Sequence, residues 1–264
     1  MTDFICTACG TEFPPADAPP AICPICADAR QFIPAGGQSW TTIAALAAAH
    51  WNGFRRVAPD LYAFGTFPHF AIGQRAFLLR TPAGNVLWDC VSLIDDATID
   101  LLHGMGGIAA IAISHPHYYT TMGRWAAAFD APVHLHVADR EWVQRPDPRL
   151  RFWDGDTLKL LPGVTLIRAG GHFPGGTVLH AAEGKGAILS GDILQVGPDR
   201  KLAFMWSYPN YVPLGAGPVR MIAERLAPFD FDAIWGAFWD REIVAGGRAI
   251  LEESVHRHLR AIAV

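Results

Sequence analysis

The sequence predicts a mixed α/β domain preceded by a small metal-stapled ribbon, and three observations carry that expectation. Strand-like and helix-like segments alternate from about residue 55 to the C-terminus. Four of the five cysteines fall in two Cys-x-x-Cys pairs, Cys6/Cys9 and Cys23/Cys26. An apolar run over 108–114 ends in His115-Pro116-His117. At 264 residues the chain can hold one large domain, or one large and one small. The expected division is a ribbon over 1–38 and a main domain over 39–264.

The ribbon comes first. No basic stretch followed by an apolar core opens the chain, so a cytoplasmic location is expected and paired cysteines read as metal ligands rather than disulfides. Each pair brackets a tight knuckle, and four thiolates complete a tetrahedron around zinc or iron. A segment this short cannot bury enough apolar surface to fold alone. Structural zinc contributes roughly 10–16 kcal/mol, enough to order it. The segment Cys-Thr-Ala-Cys-Gly followed by Cys-Pro-Ile-Cys, about residues 4–33, resembles a rubredoxin-like or rubrerythrin-like ribbon. That resemblance implies iron in electron transfer or, in near relatives, structural zinc; zinc is the expectation here. Cys90, isolated in a strand-like run, is expected to be a buried thiol.

Gly36-Gly37 reads as a linker, and Trp40-Thr41-Thr42-Ile43 as a capped helix start. Strands are expected within 60–80 and 85–90, split by the turn Thr81-Pro82-Ala83-Gly84. A helix over 94–105 precedes the buried strand 108–114. A helix over 119–129, a strand over 132–136 and a short helix over 138–144 follow. Strands are then expected over 164–169, 176–182 and 186–191, a helix over 216–227, a strand over 231–236 and a terminal helix over 241–262.

Chemistry concentrates where these elements end. On extended backbone His115 and His117 point to one side, which suits two imidazoles sharing an ion. His172 sits in Gly170-Gly171-His172-Phe173-Pro174-Gly175-Gly176, a turn too rich in glycine for ordinary core. Asp192 ends the apolar run Ile188-Leu189-Ser190-Gly191. Three imidazoles and a carboxylate form a plausible single zinc site, with three protein ligands and a water as the catalytic pattern.

The order His-x-His, Gly-His-x-Pro-Gly, Ser-Gly-Asp resembles the metallo-β-lactamase fold hydrolases, with Asn85-Val86-Leu87-Trp88-Asp89-Cys90 similar to that family's second-strand motif. The resemblance covers roughly 60–240 and implies a four-layer αββα sandwich with metals at one edge. The family motif is His-x-His-x-Asp-His; here Tyr119 and Thr120 occupy the Asp and second His positions. The late strand 233–239 lacks the histidine the family places there. All three missing groups would serve a second metal, so the resemblance implies a mononuclear site at His115, His117 and His172. Asp192 would ligate the ion or lie beside it, and Asp89 would orient the ligand loops.

Such a site implies a hydrolase of a small-molecule acyl bond: an ester, lactone or thioester. Asp192 is the expected proton acceptor, with Tyr118 or Tyr119 as an oxyanion donor. Two other readings stand beside it. One is a metal- or partner-binding protein that has lost activity; the other is a redox protein with iron in the ribbon. The aromatic stretch 204–211, with Trp239, would line an apolar pocket and favour an uncharged or aromatic substrate. A net charge of −4 gives no reason to expect nucleic acid. No apolar run approaches the ~20 residues that span a bilayer. The remaining histidines, His134, His136, His180, His50, His103, His256, His258 and His69, are expected in structural or surface roles.

Overall fold

The computed structural model describes residues 1–263. The chain divides into two compact units: Met1–Leu135 with Arg140–Phe152, and His136–Asp139 with the chain from Trp153 onward. The ribbon is part of the first unit.

The first unit is built on a seven-stranded sheet whose strands follow chain order: Trp51–Ala58, Leu61–Phe67, Ala76–Leu79, Val86–Trp88, Ala110–Ala112, Val133–His136 and Leu150–Trp153. The first four pair antiparallel. Val86–Trp88, Ala110–Ala112 and Val133–His136 pair parallel. Parallel neighbours need a crossover, and the helices Asp96–Gly104 and Met122–Phe129 supply it. Asp95 caps the first of these, its carboxylate accepting the Thr98 N–H at 2.8 Å. Val86–Trp88 and Ala110–Ala112 are buried throughout, which is why they read as unbroken apolar runs. In the ribbon, Ile5–Cys6 pairs with Trp40–Thr41, and Pro24–Ala27 forms one helical turn. Phe13 meets Trp40 edge-on at 5.2 Å over the buried cysteines.

The second unit carries a six-stranded sheet: Thr157–Leu161, Val164–Arg168, Thr177–Ala181, Ala187–Gly191, Ala233–Gly236 and Glu242–Ile243. Only Ala187–Gly191 and Ala233–Gly236 pair parallel, and the helix Ala216–Leu226 makes that crossover. Val219, Ile222 and Leu226 of this helix pack with Ile167, Val178, Ile188 and Ile234 of the sheet. Leu251 and Val255 of the terminal helix Gly247–Ala261 complete the core.

Several expectations need adjustment. The strand Trp51–Ala58 starts earlier than the sequence pattern suggests, and Leu150–Trp153 and Thr157–Leu161 were not expected at all. All three lie at the edge of their sheets and alternate only weakly in burial. The terminal helix begins at Gly247, because Glu242–Ile243 first adds a strand beside Ala233–Gly236. Met205–Ser207 and Val212–Pro213 form a short hairpin where a loop was expected. Among the described residues no helix is long and apolar enough to cross a membrane.

Candidate metal centres

The four ribbon cysteines are all buried. Cys6 Sγ lies 3.6 Å from Cys26 Sγ, and Cys9 Sγ lies 3.6 Å from Cys23 Sγ. Thiolates at ~2.3 Å from a tetrahedral ion stand about 3.8 Å apart, so the cluster has the dimensions of a metal site. The knuckle is closed by Gly10 N–H donating to the Cys6 carbonyl at 2.8 Å and Cys6 N–H to the Thr11 carbonyl at 2.9 Å. Gln38 donates its amide to Cys6 Sγ at 3.0 Å and accepts the Cys23 N–H at 3.1 Å. Crowding splits the thiols. The bond from Cys23 pulls Cys6 far below the usual thiol range, and Cys26 pulls Cys23 down. The bond to Cys23, with burial, pushes Cys9 and Cys26 up. Four sulfurs this close suit a shared cation, which would hold all four as thiolates.

In the first unit, His115 and His117 follow the strand Ala110–Ala112, at the carboxyl end where open α/β sheets present their ligands. They do not share an extended backbone, as the sequence suggested. His115 is extended at φ −170° and ψ 171°, but Pro116–Tyr118 is a 3₁₀ turn. Proline presets the helical φ, and the turn closes with Tyr118 N–H on the His115 carbonyl at 3.0 Å. The rings still come together, with centroids 5.0 Å apart and near perpendicular. Both are about fully buried, at 1% and 2% exposure. His115 Nδ1 lies 2.8 Å from Ser114 Oγ. Asp89, after the neighbouring strand, accepts the Ser114 N–H at 2.7 Å and so fixes the backbone just before His115. Asp89 is itself left-handed at φ +63°.

In the second unit, His172 sits on the loop Gly170–Gly176. Gly171 adopts φ +82°, and a Cβ on Gly176 would stand 2.7 Å from the Gly170 carbonyl oxygen. The loop therefore admits only glycine at these positions. Asp139 Oδ1 accepts the Gly175 N–H at 2.7 Å and braces the loop from below. His172 Nδ1–H donates to the Trp206 carbonyl at 2.8 Å, which sets its tautomer. Asp192 follows Ala187–Gly191 and is buried. Tyr208 donates its hydroxyl to the Asp192 carbonyl at 2.7 Å. Burial first, and then the Asp192 carboxylate, hold the Tyr208 phenol well above its usual value.

Among the described residues two sets of side chains have metal-ligand chemistry: the four cysteines, and His115, His117, His172 and Asp192. Both tyrosines singled out from sequence are buried. Tyr118 donates its one O–H to the Arg75 carbonyl at 3.0 Å, and Tyr119 lines a cavity with Glu12 and Arg145. The aromatic stretch divides: Phe204 joins the core and Tyr211 is exposed. Cys90 is buried as expected. Several other histidines bind backbone: His136 Nε2 to the Gly155 carbonyl at 3.1 Å, His180 Nε2 to Asp230 at 2.7 Å, and His258 Nε2 to Leu214 at 2.8 Å. Sequence reasoning missed Ser114, Asp139 and the Trp206 carbonyl. No spacing in the chain marks them, since each acts through a contact made only on folding.

The architecture is the metallo-β-lactamase fold, and it carries two sets of residues able to hold a metal ion. DIM-1 metallo-β-lactamase superposes at a TM-score of 0.60 and 12% identity, over 80% of this chain and 98% of that one. FIM-1 from Pseudomonas aeruginosa, in its mono-zinc form, superposes at 0.58 and 14%, over 80% and 96%. No protein-family model matches the chain. The uncharacterized protein YmaE of Bacillus subtilis (strain 168) is 43% identical over 268 residues, 99% of this chain and 97% of that one. The chain belongs to the family of that protein.

Proposed function

We propose that this protein is a metal-dependent hydrolase of a small-molecule ester, lactone or thioester, with one zinc ion held by His115, His117 and His172. Asp192 completes the set as a ligand or as the proton acceptor beside it. The observation that carries this reading is how the imidazoles are held. His115 and His172 are buried with Nδ1 tied to Ser114 Oγ and to the Trp206 carbonyl. A hydrogen bond on one ring nitrogen is how proteins orient a metal-binding histidine and raise its basicity. The donor set of three imidazoles and a carboxylate suits zinc.

When bound, the ion supplies Lewis acidity and lowers the pKa of water toward about 7. Asp192 would accept a proton there. Tyr208, kept neutral by burial, fixes the Asp192 backbone. Tyr118 holds the turn against Arg75 and is not asked to touch substrate. Within the first unit a small cleft opens at His117, lined by Cys9, Thr66, Gln74, Ser92 and Thr120 among others and by no Asp, Glu, Lys or Arg. Apart from the ion itself, this lining offers an ionised substrate no Asp, Glu, Lys or Arg partner, which supports an uncharged one. In the ribbon we propose structural zinc.

The test is metal analysis with a panel of neutral esters, lactones and thioesters. Two metals per chain are expected, falling to one in His172→Ala, with turnover abolished in His115→Ala. A wild-type protein with a single metal, unchanged in His172→Ala, would overturn the site. A red, iron-loaded protein would overturn zinc in the ribbon.

A further inference from the structure

We infer that the four-cysteine ribbon positions the His115–Thr121 segment, with Glu12 as the positioning residue, so that filling the cysteine centre sets how tightly the histidine site holds its ion. This rests on the reading of that site given above, and goes beyond it.

The chain of contacts lies wholly in the first unit. The cysteine knuckle fixes residues 6–11 through Cys6 N–H to the Thr11 carbonyl at 2.9 Å. The next residue, Glu12, donates its backbone N–H to the Thr120 carbonyl at 3.0 Å. Thr120 lies three residues beyond His117 and is held at φ +27°, in a region a β-branched side chain avoids. It stays there because it is held from two sides: by Glu12, and by its own hydroxyl on the Cys90 carbonyl at 3.1 Å.

The side chains repeat the clamp. The Glu12 carboxylate is 2% exposed and meets Arg124 Nε at 2.5 Å and Arg145 Nη1 at 3.1 Å. Asp3 binds the same two arginines at 2.6 and 3.1 Å. Arg124 belongs to the first turn of Met122–Phe129, the helix that the histidine segment runs into. A second route runs through Ser92, whose hydroxyl donates to the Gly10 carbonyl at 3.2 Å and whose carbonyl accepts the Thr121 hydroxyl at 3.0 Å. Cys9 and His117 line the same cleft. Emptying the cysteine centre frees the knuckle, and with it both holds on the segment after His117.

The experiment uses the full chain, wild type and two variants, Cys6→Ser/Cys9→Ser and Glu12→Gln. Hydrogen–deuterium exchange is followed over residues 117–122, and zinc affinity at the histidine site is measured by competition with a chelating dye. In the cysteine variant, exchange over 117–122 should rise at least about 10-fold, and zinc affinity should fall about 10–100-fold, the usual effect of removing an outer-shell support. Glu12→Gln, which keeps the knuckle and the N–H, should move both in the same direction by less. Unchanged exchange and affinity in the cysteine variant would overturn the inference. If that variant also loses protection in Val164–Arg168 and Thr177–Ala181, it has unfolded as a whole. Glu12→Gln then decides, and no change there overturns the inference. A wild type with no metal at the histidines defeats the proposed function; the exchange result alone then judges this one.

Discussion

Replacing Gly176 by alanine tests whether steric fit of the Gly170–Gly176 loop is what sets His172. The new Cβ would stand 2.7 Å from the Gly170 carbonyl oxygen, 2.7 Å from Ile193 Cδ1 and 3.0 Å from the Phe173 carbonyl oxygen. The isoleucine can rotate, but the two carbonyls cannot. Gly170 N–H bonds the Gly176 carbonyl at 2.8 Å, and Gly176 N–H bonds the Phe173 carbonyl at 3.0 Å. The loop must open across its own hydrogen bonds. Overpacking of this kind costs about 1–3 kcal/mol. At about 2–4 °C per kcal/mol for a chain near this length, the midpoint should fall by about 2–12 °C. Because His172 rides on the loop, zinc affinity at the histidine site should fall as well. Gly217→Ala is the control: nothing lies within 4 Å of its Cβ, and it sits in the helix Ala216–Leu226. It should stabilise by about 0.5–1 kcal/mol. Thermal denaturation and zinc competition measure both variants. A Gly176→Ala protein within about 1 °C of wild type, with full affinity, refutes the steric argument.

Three further outcomes are expected. His136 is held neutral chiefly by burial, its Nδ1 accepting the Ala138 N–H at 3.2 Å. Its lowered folded pKa means that stability present above the unfolded value, about 6.5, is lost as pH falls below it. Denaturant midpoints should therefore drop more steeply between pH 7 and 5.5 in wild type than in His136→Asn, and equal slopes would contradict this. Asp89→Ala should cost about 1–3 kcal/mol by leaving the buried Ser114 N–H without its acceptor. Asp89→Asn keeps an acceptor and tolerates φ +63°, so it should cost less, as chemical denaturation would show. Tyr208→Phe removes the 2.7 Å bond to the Asp192 carbonyl and should cost about 0.5–1.5 kcal/mol in unfolding free energy. A stabilised Tyr208→Phe would mean that the hydroxyl is not a net support.

What was legible in the sequence was what local spacing determines. Two Cys-x-x-Cys knuckles have the spacing to share an ion, and Cys6, Cys9, Cys23 and Cys26 meet as expected. Buried parallel strands need every residue apolar, so Val86–Trp88 and Ala110–Ala112 announced themselves, and with them the carboxyl ends that carry Asp89 and His115. What stayed hidden depends on partners remote in sequence. The edge strands Leu150–Trp153 and Thr157–Leu161 are made by their neighbours' hydrogen bonds, not by their own pattern. Asp139 reaches Gly175 across 36 positions, and His172 reaches a main-chain carbonyl 34 positions away. A carbonyl leaves no trace in residue type.

The turn after His115 shows how a motif and its geometry can part company. The spacing His-x-His was read as two side chains on one face of a strand. The proline between them instead curls the chain into a 3₁₀ turn, and the rings still meet at 5.0 Å. A strand would have needed only alternation; a turn needs something to hold it. That need accounts for the hydrogen bonds that converge here: Asp89 on Ser114, Tyr118 on Arg75, Thr120 on Cys90, and Glu12 on Thr120. Three come from the sheet's own unit of loops and strands, and the fourth comes from the ribbon. On the inference drawn above, an ion in the ribbon stiffens the knuckle from which Glu12, together with the Cys90 carbonyl, holds a left-handed threonine three residues from a candidate ligand.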